Sequence, residues 1–168
     1  MRKRSFLSII ISALMIIALF TGCGGNTQTD QKTDKSNTST EKSEALKDGD
    51  YKAEAQNFDS KGWKPFVQIQ VKDGKIVSAK YDYVNKEGKY ITQDQDYNKN
   101  MSAKTNGMNP VKYSKQLADD LVNRQDASKV DTVTGATESS EIFKELSEKL
   151  IENAKKGDTA DLKVGISE

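Results

Sequence analysis

Histidine is absent from the 168 residues, and cysteine occurs once, at position 23. These two scarcities exclude the common zinc sites, the Cys-His and Ser-His-Asp nucleophile systems, and any structural disulfide within the chain. Apolar residues are also scarce. They make up 35% of the chain, with a large share in the first two dozen positions, so the remainder is polar and has material for one modest core. No sign of charge dominates either, since 26 bases face 25 acids, and loss of residues 1–22 would remove only Arg2, Lys3 and Arg4, leaving 23 bases. That balance gives no electrostatic case for nucleic acid or for a polybasic membrane contact. Redox or group-transfer chemistry on such a chain has to draw its reactive atoms from something bound.

The chain does have a processing signal. MRKRS is a basic leader, and the apolar run Phe6 to Phe20 is too short for a transmembrane helix. The run ends in FTGC, with Gly22 before Cys23, the arrangement of a lipoprotein signal peptide whose cysteine is lipidated after cleavage. Phe20 stands where an aliphatic residue is usual, and a secreted protein with a free thiol is the alternative. Residues 1–22 are therefore expected to be a signal peptide and Cys23 the lipid attachment point. This would place the protein on the extracytoplasmic face of the cell membrane. Residues 23–47, beginning CGGNTQTDQKTDKSNTSTEKSEA, are almost devoid of apolar side chains and read as a disordered tether. A coil of that length has a root-mean-square span of roughly 25–30 Å.

One folded head is expected over residues 48–158. Asp48 to Gln56 reads as a first strand. In WKPFVQIQVKDGKIVSAKYDYV, Val67, Ile69 and Val71 alternate with glutamines, Asp73-Gly74 makes a turn, and Val77, Ala79, Tyr81 and Tyr83 alternate with polar partners. This is the pattern of a β-hairpin with one buried face. DYNKNMSAK suggests a short helix that NGMNP breaks. Tyr113, Leu117 and Leu121 then recur every fourth residue, giving a helix to about Asn123. A last helix from Glu138 to about Lys155 carries Ile142, Phe143, Leu146, Leu150 and Ile151 on one stripe and stops at Gly157. The expectation is an α+β domain: a small antiparallel, hairpin-based sheet packed with two amphipathic helices. Residues 159–168 read as a flexible tail.

The chemistry concentrates in DTVTGATESS, Asp131 to Ser140, immediately before the last helix. The free N–H groups and the dipole at a helix start make such a junction an anion site. Gly135 permits close approach, and Thr134, Thr137, Ser139 and Ser140 supply hydroxyls. Thr137 also reads as an ordinary helix N-cap, with Gly-Ala the turn before it. Glu138 and Glu141, in the helix's first turn, suit the dipole but repel a phosphate, so a singly charged diester is easier to place there than a dianion. DQDYNKN, with Asp94, Asp96 and Asn98 at alternate positions, has the spacing of a calcium loop. It lacks the required glycine, having Lys99, and the required glutamate, having Thr105, so no metal site is expected.

DTVTGAT resembles the flavinylation motif of the FMN-binding domain family, in which an Asp, two variable positions, a Ser or Thr and then Gly-Ala-Thr mark the threonine that receives FMN. That family includes subunits of sodium-pumping NADH:quinone reductase and of Rnf complexes. The similarity extends over Asp48 to Asp158, through DGDY, GWKPFVQIQVKDGKIVSAKYDYVNKEGK, DYNKNM and VDTVTGATESS. The chain looks like the pheromone-type FMN lipoproteins of Gram-positive extracellular electron transfer. The resemblance implies FMN attached by a phosphoester to Thr137, with Thr134, Gly135 and Ala136 completing the motif and Asp131 read during modification. It implies a magnesium-dependent FAD:protein FMN transferase as the modifying partner, so the chain is a substrate and an electron carrier and not itself an enzyme. A membrane quinol or dehydrogenase would be the electron donor. Some related electron-transfer lipoproteins carry two such domains, whereas this chain has one. Trp63, Tyr90 and Met108 are candidates to meet the isoalloxazine ring. Two other readings stay open: a surface lipoprotein binding its ligand noncovalently, and a pheromone precursor acting through its released signal peptide.

Overall fold

The hairpin organises everything else. In the computed structural model, which describes residues 45–166, strands β2 (Trp63–Lys72) and β3 (Lys75–Asn85) run antiparallel across the Asp73-Gly74 turn. Both turn residues have positive φ, +52° and +72°, the left-handed geometry that matches the twist of the strands it joins. Strand β1 (Gly49–Ala55) pairs antiparallel with the other side of β2. Three helices follow: α1 (Gln95–Lys104), α2 (Pro110–Arg124) and α3 (Thr137–Lys156). The architecture is α+β, as expected.

Three details differ from the sequence reading. Residues 162–164, placed in a flexible tail, form strand β4 (Leu162–Val164), which pairs parallel with β1 and makes the sheet mixed, in the order β3-β2-β1-β4. A three-residue strand with one buried valine carries too little periodicity to be seen, yet it covers an otherwise open edge of β1. Val77, expected on the core face, is 46% exposed, and Ile76 is buried in its place. The cause is a β-bulge: Val71 pairs with Ile76 and Gln70 with Ser78, so Val77 is the unpaired extra residue and the alternation changes phase around it. The folded part also starts before Asp48. Leu46 packs on the core, and the Lys47 N–H donates to the Ala154 carbonyl at 3.0 Å. The expected signal peptide, the expected lipid attachment point Cys23 and the expected tether up to residue 44 lie outside the described residues.

Helices α2 and α3 cover one face of the sheet. Tyr113, Leu117 and Leu121 from α2 and Phe143, Leu146, Leu150 and Ala154 from α3 are buried against Val67, Ile69, Ile76 and Tyr81. Each helix has clear stops. Asn109 caps α2 by accepting from the Lys112 N–H, and Pro110 sits in the first turn, where its missing N–H costs nothing. Gln125 ends α2 at φ +61°, and its side-chain amide bonds both the N–H and the carbonyl of Ile76 at 2.8 Å, tying the helix end to the hairpin. Gly157 ends α3 at φ +75°.

Candidate functional site

The loop between α2 and α3 enters the core at every third residue. Val130, Val133 and Ala136 are buried, each at 5% exposure or less, and the residues between them stand outward. The Ala136 N–H donates to the Val133 carbonyl at 2.9 Å, closing a four-residue turn. Gly135 occupies its third position at φ +84°, the conformation that favours glycine. A Cβ there would lie 3.4 Å from the side chains of Met108 and Thr105. The sign of the backbone angle calls for glycine, and the space beside it is closely filled without a clash.

Thr137 does not cap α3. It is the helix's first residue, Ala136 holds the N-cap position, and no side chain takes the capping bond. Ser140 works in the opposite direction: its hydroxyl accepts from the Val133 N–H at 3.0 Å and donates to the Ala136 carbonyl at 2.8 Å, in full burial. Thr132 accepts from the Lys144 ammonium at 3.1 Å. Ser139 bonds Tyr83. Thr134 and Thr137 are exposed, and their hydroxyls make no hydrogen bond among the described residues. Free N–H groups of the first turn of α3 lie beside Thr137. Asp131 is held from α2: its side chain pairs with Arg124, its N–H donates to Asp120 at 2.8 Å, and Arg124 also bonds Asp120 at 2.7 Å. Burial opposes the Asp120 charge, but the Asp131 N–H and Arg124 prevail and hold its carboxyl below the usual range.

Next to this loop a cavity of about 350 Å³ opens between the start of α3 and the sheet, lined by Trp63, Tyr83, Tyr97, Tyr113, Glu138, Ser139 and Ile142 among others. Its size falls at the small end of ligand pockets. The floor is a hydroxyl network. Tyr81 donates to the Ser139 carbonyl at 2.9 Å, the Tyr81 and Tyr83 hydroxyls meet at 2.7 Å, and Tyr83 lies 3.2 Å from the Ser139 hydroxyl. Burial raises the pKa of Tyr81, Tyr83 and Tyr113, with neighbouring tyrosines adding to it for Tyr81 and Tyr113. All three remain protonated at neutral pH. Trp63 meets Tyr97 edge-on at 6.3 Å between ring centroids. Aromatic faces with hydroxyls at one end suit a flat heterocycle that has polar edges.

The model of the FMN-binding domain matches residues 62–152, from the strand that contributes Trp63 through the α2–α3 loop and most of α3. The chain belongs to the FMN-binding domain family. A curated relative, the 15 kDa lipoprotein of Treponema pallidum (strain Nichols), is 40% identical over 114 residues, covering 68% of this chain and 80% of that protein. A crystal structure of a Clostridium perfringens protein superposes with a TM-score of 0.70 at 39% identity, covering 73% of this chain and 99% of that one.

Within this FMN-binding domain the three sequence candidates for ring contact separate. Trp63 lines the cavity. Met108 packs beside Gly135 instead. Tyr90 lies by Phe66, 5.8 Å between centroids, with the Lys80 ammonium 4.3 Å from its ring centre. Tyr83 and Tyr113 were legible only as core positions of a strand and a helix, and nothing in their spacing distinguished a cavity wall from ordinary packing. Asp94 and Asn98, which suggested a calcium loop, do structural work: Asp94 caps α1 through the Tyr97 N–H, and Asn98 donates to the Ile91, Thr92 and Asp94 carbonyls.

Proposed function

We propose that this protein is a lipid-anchored extracytoplasmic flavoprotein in which Thr137 carries FMN as a phosphoester and the flavin passes electrons between a membrane donor and an outer acceptor. The observation that carries the reading is the pair of free hydroxyls, Thr134 and Thr137, in a loop whose other hydroxyls are all engaged. Of the two, Thr137 opens α3, where unpaired N–H groups and the helix dipole accept the single negative charge of a diester. It is also the one contiguous in sequence with the cavity wall residues Glu138 and Ser139. Anchoring follows from the FTGC sequence and agrees with the name of the Treponema relative.

In the transfer, Thr137 Oγ forms a bond to the FMN phosphorus of FAD and the pyrophosphate P–O bond breaks. AMP leaves with that electron pair, and the hydroxyl proton goes to a base on the transferase. The flavin supplies reversible one- or two-electron chemistry that no side chain of this protein offers. The chain's own contribution is positional. Gly135 keeps the approach to the backbone clear, the start of α3 balances the diester charge, and Trp63, Tyr83, Tyr97 and Tyr113 line a space for the ring. Covalent attachment also prevents loss of the cofactor by dilution outside the cell.

Coexpression with an FAD:protein FMN transferase, followed by mass spectrometry of denatured protein, tests this. The expected result is the mass of one FMN on the peptide containing Thr137, lost in Thr137→Ala and kept in Thr134→Ala. A yellow protein whose flavin departs on denaturation would leave a noncovalent flavin-binding lipoprotein, which the cavity alone could support.

A further inference from the structure

The Asp120–Arg124–Asp131 cluster binds the first residue of the DTVTGAT stretch to the last turns of α2. We propose that Asp120 and Arg124 are positioning residues for flavinylation, holding the loop in the conformation that the transferase engages; this rests on Thr137 being the acceptor. Two contacts converge on Asp131, and a third braces them. Its N–H is taken by Asp120, its carboxylate by Arg124, and Arg124 is itself fixed by Asp120 at 2.7 Å. The Asp131 side chain is nonetheless 75% exposed, so an approaching protein meets a carboxylate already oriented. Five residues separate it from Thr137, and the path between is fixed by burial of Val133 and Ala136 and by the turn at Gly135.

Global stability gives no reason for this cluster. Exposed ion pairs contribute little, with a median of about 0–1 kcal/mol. Its effect is local: without it, the segment ahead of Val133 loses the N–H bond and the ion pair that select one conformation. A binding partner that accepts only one conformation sees its apparent affinity reduced by the fraction of time that conformation is populated. The consequence falls on KM and leaves kcat alone, because the chemical step occurs at Thr137 once the loop is engaged.

The test uses the purified mature chain with the transferase, magnesium and FAD, following covalent flavin by in-gel fluorescence and intact mass at varied chain concentration. Arg124→Gln and Asp120→Asn are expected to raise KM about ten-fold with kcat within about two-fold of wild type. On the unmodified protein, amide exchange at Asp131 should accelerate in both variants while that at Leu117 stays slow. Asp120→Asn keeps the side-chain shape but loses the second oxygen and the charge that together hold Arg124 and the Asp131 N–H, and it serves if the arginine variant misfolds. An unchanged KM, a lowered KM (the pair then shields Asp131), or a loss confined to kcat overturns the proposal. Failure of the wild type to acquire flavin at Thr137 would instead sink the proposed function.

Discussion

Two buried serines on α3 separate a hydroxyl that works from one that does not. Ser140 joins the α2–α3 loop to the helix by accepting from Val133 and donating to Ala136. Ser147, equally buried, has no hydrogen-bond partner among the described residues. Removing a partner from a buried N–H costs about 1–3 kcal/mol, whereas deleting an unpaired hydroxyl relieves a desolvation penalty. Ser140→Ala should therefore lower stability in urea by about 1–3 kcal/mol, and Ser147→Ala should match or exceed wild type. Equal losses in the two variants would refute this account of the loop. At this scale the sequence was legible in part. Thr137 could be placed at the mouth of the helix, but the same reasoning made it the N-cap, because capping is the ordinary use of a threonine there. Ala136 takes that position, and the bond that fastens the turn comes from Ser140, three residues into the helix. Side-chain to backbone bonds that run backward across a turn leave no spacing signature.

The elements most local in origin were the most readable. The hairpin, with its Asp-Gly turn, and the helices α2 and α3 follow from period-2 and period-3.6 patterns of apolar residues, and their observed bounds differ from the reading by a residue or two. Strand β4 could not be found this way, since its stability comes from a distant partner. Part of that partnership is ionic. Glu54 on β1, 5% exposed, is surrounded by Lys64 at 2.6 Å, Lys52 at 2.7 Å and Lys163 of β4. Burial alone would raise its pKa, but the three ammonium groups outweigh it and bring it down to about 2. For a carboxylate whose folded pKa is depressed, stabilisation is complete above the unfolded value, near 4.5, and is lost as pH falls toward 2. At neutral pH this amounts to something on the order of 3 kcal/mol. Glu54→Gln is expected to be less stable than wild type at pH 7 and indistinguishable from it near pH 2, as measured by urea unfolding across that range. A constant gap over the whole range would assign the loss to packing and not to charge.

At the scale of the molecule, α3 sets the distance between Thr137 and the point where residue 47 joins the fold. Thr137 is its first residue, and its last turn receives the segment at the start of the described residues: the Lys47 N–H bonds the Ala154 carbonyl and the Lys47 ammonium bonds the Lys156 carbonyl, each at 3.0 Å. Twenty helical residues span about 30 Å at 1.5 Å per residue. Composition led to the expectation of a tether ahead of residue 48 and of a site before α3, but which end of the domain residue 47 occupies depended on its long-range bond to α3, invisible in a polar stretch. On the proposed function, the flavin therefore lies about 30 Å from the point where the anchored segment joins the fold. A soluble acceptor meets it directly. A donor embedded in the membrane meets it only when the domain tips over, which requires slack comparable to that distance, and a coil of the length read from the sequence supplies a similar span of roughly 25–30 Å. Deleting residues 27–40 from the anchored, flavin-loaded protein in liposomes should thus slow flavin reduction by a membrane quinol system several-fold, while reoxidation by a soluble acceptor is unchanged. Stopped-flow absorbance of the flavin follows both steps. Equal slowing of the two, or of neither, would mean that the domain does not present its α3 start away from the anchor.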